Sequence, residues 1–520
     1  MKKKKVISCM VAGVLLLGVQ QVWAATTHYN DSSVTGGSEA WNAWVAEWNN
    51  VANDYTKVSL TPGAAATQLN FAWYSEGESA TPTVYFGTDT QNMRPYTGTA
   101  NSVASNLTGG KAYCYNYVTV TDLKENTTYY YSLAKNGEKT PAEVYKTGSF
   151  SDVNILYVGD PQVGASKGQP QGGGKLAADS GAANTAARND GFAWNRTLDI
   201  ALAKNPNLNF VISAGDQVNK TGKPKEEEYA AYLSATALKS LPVATTIGNH
   251  DSLNPDYSYH FNNPNPTGMG MTEAGGDYYY SYGSGLFIVL NTNKYNVAEH
   301  EQSIQKAVGN FPNATWRVVT IHQDIYGSGL DHSDTDGMIL RTQLTPIFDR
   351  YDIDVVLQGH DHTYSRSKIL YGDGQTHGTY EFKLNDKGDD YDWDHAYNTV
   401  SGESIALSPD SGDSAAVAAL NQFAADNHCY TIESAGERTV TDPKGTLYMT
   451  ANSASGSKYY ELISSQQDYI ANRSQNWLPS YSVINMTARD FKITTYQITD
   501  DGNVEEIDSA FRIHKTSGRR

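Results

Sequence analysis

The chain has 520 residues, 39% of them hydrophobic and 18% charged, which is too long for one typical domain and apolar enough for a sizeable core. Its formal charge of −17 excludes a general nucleic-acid binder, because such a surface repels the phosphate backbone. With 36 Tyr and 45 Gly, the composition favours β-rich, loop-rich architecture over a helical bundle.

Residues 1–24 read as a secretory signal peptide. Lys2–Lys5 form a basic start, Val6–Val19 an apolar stretch too short for a membrane span, and Val22-Trp23-Ala24 a small-x-small cleavage site. Removing them would take away four lysines and no acid, moving the charge from −17 to −21. The expectation is an exported protein, secreted or periplasmic and of bacterial type, with no membrane segment after cleavage. Cys9 would leave with the leader, and Cys114 and Cys429 would remain, either bridged or free.

Residues 25–150 read as an all-β sandwich of immunoglobulin or fibronectin type. Gln68–Tyr74, Thr83–Phe86 and Ala112–Val120 are short, aromatic or β-branched, and bounded by turn residues. Leu123 followed by Thr127–Tyr131 suits a tyrosine corner.

From Asn154 onward, apolar runs alternate with helical spacing, the signature of α/β layering over 151–520. Strands are predicted at Ile155–Val158, Leu208–Ser213, Pro242–Ile247, Leu286–Asn291, Val318–Ile321, Asp354–Leu357 and Leu447–Thr450. Helices are predicted at Gly191–Lys204, Glu226–Leu241 and Met338–Tyr351. Asp277–Tyr282 reads as a hairpin strand leading into Gly285–Asn291. Ala165–Asn189 and Tyr371–Gly445 read as loops, the acids between Asp386 and His395 as a solvated part of the second.

Polar residues gather immediately after these strands: Asp160, Asp216, Asn249-His250-Asp251, His322, and His360 with His362. Ligands bind at the carboxyl ends of strands in layered α/β proteins. Gly159, Gly215, Gly248 and Gly359 each precede one of these groups, permitting a sharp turn. Carboxylate, amide oxygen and imidazole without thiolate suit Zn, Fe or Mn in a catalytic site. Two such ions can bridge a hydroxide and clamp an in-line displacement at phosphorus.

The ordered series Gly159-Asp160, Gly215-Asp216, Gly248-Asn249-His250-Asp251, His322 and Gly359-His360-Asp361-His362 resembles the calcineurin-like metallophosphoesterase family. Trp316-Arg317 before His322, Tyr364-Ser365-Arg366 after the double His, Gly445–Tyr459 and the β-rich N-terminal part resemble its purple acid phosphatase branch. The resemblance implies an αββα domain of two face-to-face sheets, and a binuclear-metal enzyme hydrolysing phosphate monoesters of small substrates. By position, Asp160, Asp216 and His362 would hold one metal. Asp216 would bridge to a second, held also by Asn249, His322 and His360. His250 would contact the scissile phosphate and protonate the leaving alkoxide, with His332 as a further phosphate contact. Two departures stand out. Gln162 occupies a position where many members have His, and would either ligate through its amide oxygen or leave the place to water. Asn219 stands where the purple branch has Tyr, so no tyrosinate-to-iron colour is expected. Two alternatives remain: a phosphodiesterase or nucleotidase of the same fold, or a catalytically silent surface-binding protein.

Overall fold

The computed structural model describes residues 39–518, apart from 78–79, 136–137, 167–169, 172–173, 176–184, 331, 334–335, 389–390, 393 and 435. The expected leader and its Cys9 lie outside the described residues.

The region read as all-β opens instead with a helix, Glu39–Asn53. Trp41, Trp44 and Trp48 recur at helical spacing and face the larger domain. Trp41 meets Phe192 edge-on at 5.2 Å, and the Trp44 indole N–H donates to the Arg188 carbonyl at 2.8 Å. Two antiparallel sheets then form a sandwich. One is ordered Val58–Pro62, Leu69–Glu76, Tyr113–Val120, Thr99–Ser102. The other centres on Thr83–Gly87 and Thr128–Lys135. Alternate side chains, among them Phe71, Trp73, Val84, Phe86, Val118 and Tyr131, fill the space between them. The Tyr129 hydroxyl accepts the Lys124 backbone N–H at 2.8 Å, closing the expected tyrosine corner.

The larger unit is an αββα sandwich. Seven strands form the first sheet, in the order Val243–Thr245, Phe210–Ser213, Val153–Val158, Ser480–Met486, Asp490–Ile498, Val504–His514, Thr439–Thr441. The second sheet has eight: Tyr278–Tyr282, Gly285–Val289, Trp316–Thr320, Val355–Gln358, Thr446–Thr450, Tyr364–Gly372 and Tyr430–Ser434, with Ile470–Ser474 paired to Tyr364–Gly372. Strand periodicity decides what each side chain meets. Ile155, Tyr157, Ile212, Val318, Leu357 and Met449 enter the core between the sheets. Their neighbours Leu156, Val158 and Val211 turn outward to the helices Thr185–Lys204 and Glu226–Leu233. Val319, Val356 and Tyr448 turn to Val297–Asn310 and Asp336–Arg350.

The helix expected over Glu226–Leu241 stops at Leu233 and resumes as a single tight turn at Thr236–Lys239. The stretch Tyr371–Gly445, read as loop, holds short strands and the helix Ser414–Asp426, which Asp413 caps by accepting the N–H groups of Ala415 and Ala416. Tyr380, Phe382, Ala396, Ile405 and Phe423 give this insertion a small core against Ile339. Cys114 and Cys429 are buried free thiols, so the bridged alternative is not realised. Among the described residues, no helix is long and apolar enough to cross a membrane.

Candidate metal centre

Seven parallel strands, three from the first sheet and four from the second, end on one edge. They are Val153–Val158, Phe210–Ser213, Val243–Thr245, Gly285–Val289, Trp316–Thr320, Val355–Gln358 and Thr446–Thr450. The chain then turns abruptly. Asp160, Gln162, Asp216, His360 and His362 all have positive φ, five of the eleven such non-glycine residues among those described. This backbone region costs a residue with a Cβ free energy, and it clusters where a site dictates side-chain direction.

The expected role of the glycines needs correcting. Gly215 alone of the four is left-handed, at φ 110°. The others serve close approach. A Cβ on Gly248 would lie 2.0 Å from Asp216 Oδ1, and one on Gly359 would lie 2.7 Å from Asp160 Oδ2. On Gly159 it would lie 2.8 Å from the Ala451 Cβ.

Asp216, His322 and His360 bring ligand atoms within 4.8 Å of one another. His322 Nε2 lies 3.5 Å from Asp216 Oδ1, 3.0 Å from the Asn249 amide oxygen and 3.1 Å from His360 Nδ1. Its Nδ1 donates to the Ala214 carbonyl at 2.9 Å, which fixes the ring and aims Nε2 inward. His362 is set in the same way: Nδ1 donates to the Lys458 carbonyl at 2.8 Å, and Nε2 faces Asp160 Oδ1 at 3.6 Å. The His360 backbone N–H donates to both Asp160 oxygens, at 3.0 and 2.9 Å. The Gln162 amide is 1% exposed, and neither its oxygen nor its nitrogen has a hydrogen-bond partner. An orphaned buried amide at a site edge fits a ligand position, for a cation or for a water.

Electrostatics agree with this reading. Burial penalises charge on His322, yet Asp216 outweighs it and holds the imidazole pKa up to about 9. Burial likewise opposes charge on Asp216, but His322 and His250 pull its pKa well below the carboxylate range. Asp160 goes the other way: burial, assisted by Asp216, pushes its pKa well up against the pull of His322. Without metal, a proton on His322 Nε2 thus stands between oxygen and nitrogen acceptors that a cation would otherwise join. The donor set is oxygen and nitrogen with no sulfur, which suits Zn, Fe or Mn.

His250 stands beside this cluster, its side chain 22% exposed, with Nε2 3.9 Å from Asp216 Oδ2. Its backbone N–H donates to Asp216 Oδ1 at 2.9 Å. The His332 ring centroid is 3.8 Å from that of His360 and 4.9 Å from Tyr460. Tyr460 also flanks His362 at 5.2 Å, and the Lys458 ammonium lies 4.6 Å over the Tyr460 ring. The structure therefore brings together every residue singled out from the sequence for the site.

Sequence reasoning named neither Lys458 nor Tyr460 individually. It also passed over the serines of 453–457: Ser453 donates to the Asp160 carbonyl at 3.0 Å, and Ser455 and Ser457 to that of Pro161. The signal available was the small, polar run after a strand ending at the same edge.

Residues 153–364 match the calcineurin-like phosphoesterase family, and residues 55–151 match the N-terminal domain of purple acid phosphatases. The chain carries a calcineurin-like phosphoesterase domain. A solved purple acid phosphatase from yellow lupin (Lupinus luteus) seeds superposes with a TM-score of 0.53 at 13% identity, covering 89% of this chain and 74% of that one. The structure of PhoD gives 0.49 at 12% identity, covering 88% and 92%. Uncharacterized proteins from two strains of Mycobacterium tuberculosis are 32% identical over 81 residues, which is 15% of this chain and 15% of each relative. The centre described above belongs mainly to the phosphoesterase domain, and the loop carrying Lys458 and Tyr460 closes it from beyond residue 364.

Proposed function

We propose that this chain is an exported phosphoesterase that uses two bound metal ions to hydrolyse phosphate monoesters of small substrates. The observation that carries the reading is the convergence of Asp216, His322 and His360, with Asn249 at hydrogen-bond distance, on one buried point at the edge where the parallel strands end. Asp160, Gln162, His362 and Asp216 would hold one ion, and Asp216, Asn249, His322 and His360 the other. When bound, such ions neutralise phosphate oxygens and supply an activated water for in-line displacement.

The chain's own residues do the rest. His250 donates its Nδ1–H to the Asn219 carbonyl, so Nε2 is the atom left to bind a phosphate oxygen and protonate the leaving alkoxide when the ring is an imidazolium. His332, packed against the His360 ring, serves as a second phosphate contact. The Lys458 ammonium adds positive charge near His362, which suits a dianionic monoester over a monoanionic diester. Position 219 turns its carbonyl to His250, and a Tyr–Fe(III) colour band has no residue there to arise from. Export rests on Lys2–Lys5, the apolar stretch and Val22-Trp23-Ala24.

The test compares a chromogenic phosphate monoester with the matching diester, using metal-stripped protein re-supplied with Zn, Mn or Fe. Higher kcat/KM on the monoester is expected. Preference for the diester would move the function to phosphodiesterase on the same site. No turnover of either, with metals bound, would favour a binding role.

A further inference from the structure

Between the metal centre and the N-terminal sandwich lies a group of buried charged side chains that the chemistry above does not use. Lys225 and Asp256 have no exposed side-chain surface and sit 3.9 Å apart. The Lys225 ammonium donates to the His250 carbonyl at 2.7 Å and to the Lys220 carbonyl at 3.1 Å. One helical turn on, Glu228 accepts the N–H groups of Asn219 at 2.9 Å and Lys220 at 2.8 Å. The turn Glu228 holds is the one whose Asn219 carbonyl accepts the His250 Nδ1–H, with the Thr221 hydroxyl 3.1 Å from the same nitrogen. Backbone and ring of His250 are thus both held from the first turn of the helix Glu226–Leu233.

Glu226, between the two, faces the other way. It accepts from His260 Nε2 at 2.7 Å and from the Tyr74 hydroxyl at 2.8 Å, and the Tyr74 ring stacks on His260 at 4.4 Å. Tyr74 lies on the sandwich strand Leu69–Glu76. Burying an ammonium and carboxylates is a poor way to gain stability, since apolar side chains of similar volume often do as well or better. Directed donors and acceptors fix the geometry of a neighbouring group, which apolar packing does only loosely.

We infer that Lys225 and Glu228 are positioning residues that clamp the His250 ring in the metal centre, anchored to the N-terminal sandwich through Glu226 and Tyr74. The clamp rests on the reading of His250 as a phosphate contact and proton donor. It assigns the sandwich a part in catalysis: holding the base of the clamp rigid.

The test is a double-mutant cycle in the full, metal-loaded chain, with kcat and KM on a chromogenic phosphate monoester and bound metal measured for each protein. Lys225→Met is expected to lower kcat about tenfold to a hundredfold, with metal content unchanged, as for groups that orient a reacting residue. In a His250→Ala background the same substitution is expected to change kcat by no more than about twofold, because nothing is left to position. Glu228→Gln keeps the volume and, if Lys225→Met does not fold, carries the same cycle with a smaller loss of about threefold. Equal losses with and without His250, or no loss in either single variant, would overturn the clamp. Absence of metal-dependent turnover in the wild type would instead overturn the phosphoesterase reading, and the clamp with it.

Discussion

The metal-facing edge of the two-sheet unit and the N-terminal sandwich are made of the same kind of strand, but they are finished differently. In the sandwich, the corner after Tyr113–Val120 also passes through positive-φ residues, Asp122 and Asn126, but these carry no part of the site, and the Tyr129 hydroxyl closes the corner by accepting the Lys124 N–H. The interior there is aromatic and aliphatic. At the edge of the two-sheet unit, the chain leaves its strands through positive-φ residues that carry carboxylates and imidazoles, and three glycines yield the space a Cβ would fill. Five positive-φ residues at this edge carry the site's side chains, as expected where a site fixes side-chain direction at the expense of the local backbone. The two regions meet where the Tyr74 hydroxyl donates to Glu226.

Substitutions should separate the two. The largest effect is expected for His250→Ala, a fall in kcat of about 10²–10⁴-fold, the usual worth of a positioned proton donor, with bound metal unchanged. Loss of metal together with activity would contradict the placement of His250 beside the ions rather than on one. Gly248→Ala comes next. Its Cβ would meet Asp216 Oδ1 at 2.0 Å and the Asp216 nitrogen at 2.2 Å. Displacing that carboxylate by about an ångström should cost kcat on the order of a hundredfold, with far-UV circular dichroism close to wild type.

In the sandwich the signs reverse. Tyr129→Phe should lower unfolding free energy by about 1 kcal/mol in urea titration and leave kcat and KM alone, because it removes one hydrogen bond far from the metal centre. A drop in kcat there would blur the distinction.

The smallest effect concerns His300, whose Nδ1 faces Asp277 Oδ2 at 2.8 Å and whose Nε2 faces the Lys294 carbonyl at 2.7 Å. Burial disfavours its charge, but Asp277 and the Lys294 carbonyl outweigh burial and hold its pKa above the usual imidazole value. Its contribution is therefore complete below the unfolded pKa of about 6.5 and lost as pH rises through the raised folded value. Thermal unfolding of wild type and His300→Gln should differ more at pH 6 than at pH 9.

Much of the metal centre was legible because its chemistry is local: a short apolar run, in four cases a Gly, then a carboxylate, amide or imidazole, repeated in order from Asp160 to His362. The strands bearing it were legible for the same reason. Ser480–Met486, Asp490–Ile498 and Val504–His514 were not, because they carry none of the site's residues and they pair next to Val153–Val158, more than three hundred residues earlier. The Tyr371–Gly445 insertion reads as polar because few apolar residues suffice for its small core. The helix Glu39–Asn53 was missed although its tryptophans show helical spacing, as its partners lie near Arg188. Lys225, Glu226 and Glu228 look like a solvated helix start, and only tertiary packing buries them. No local pattern reports a partner as distant as Tyr74.

The most direct test of the account is turnover of a chromogenic phosphate monoester by metal-stripped protein, with and without added Zn, Mn or Fe, beside Asp216→Asn under the same conditions. Turnover is expected to appear only with metal and to vanish in the variant while its fold, by circular dichroism, remains. Undiminished hydrolysis by Asp216→Asn, or wild-type turnover indifferent to metal, would contradict it.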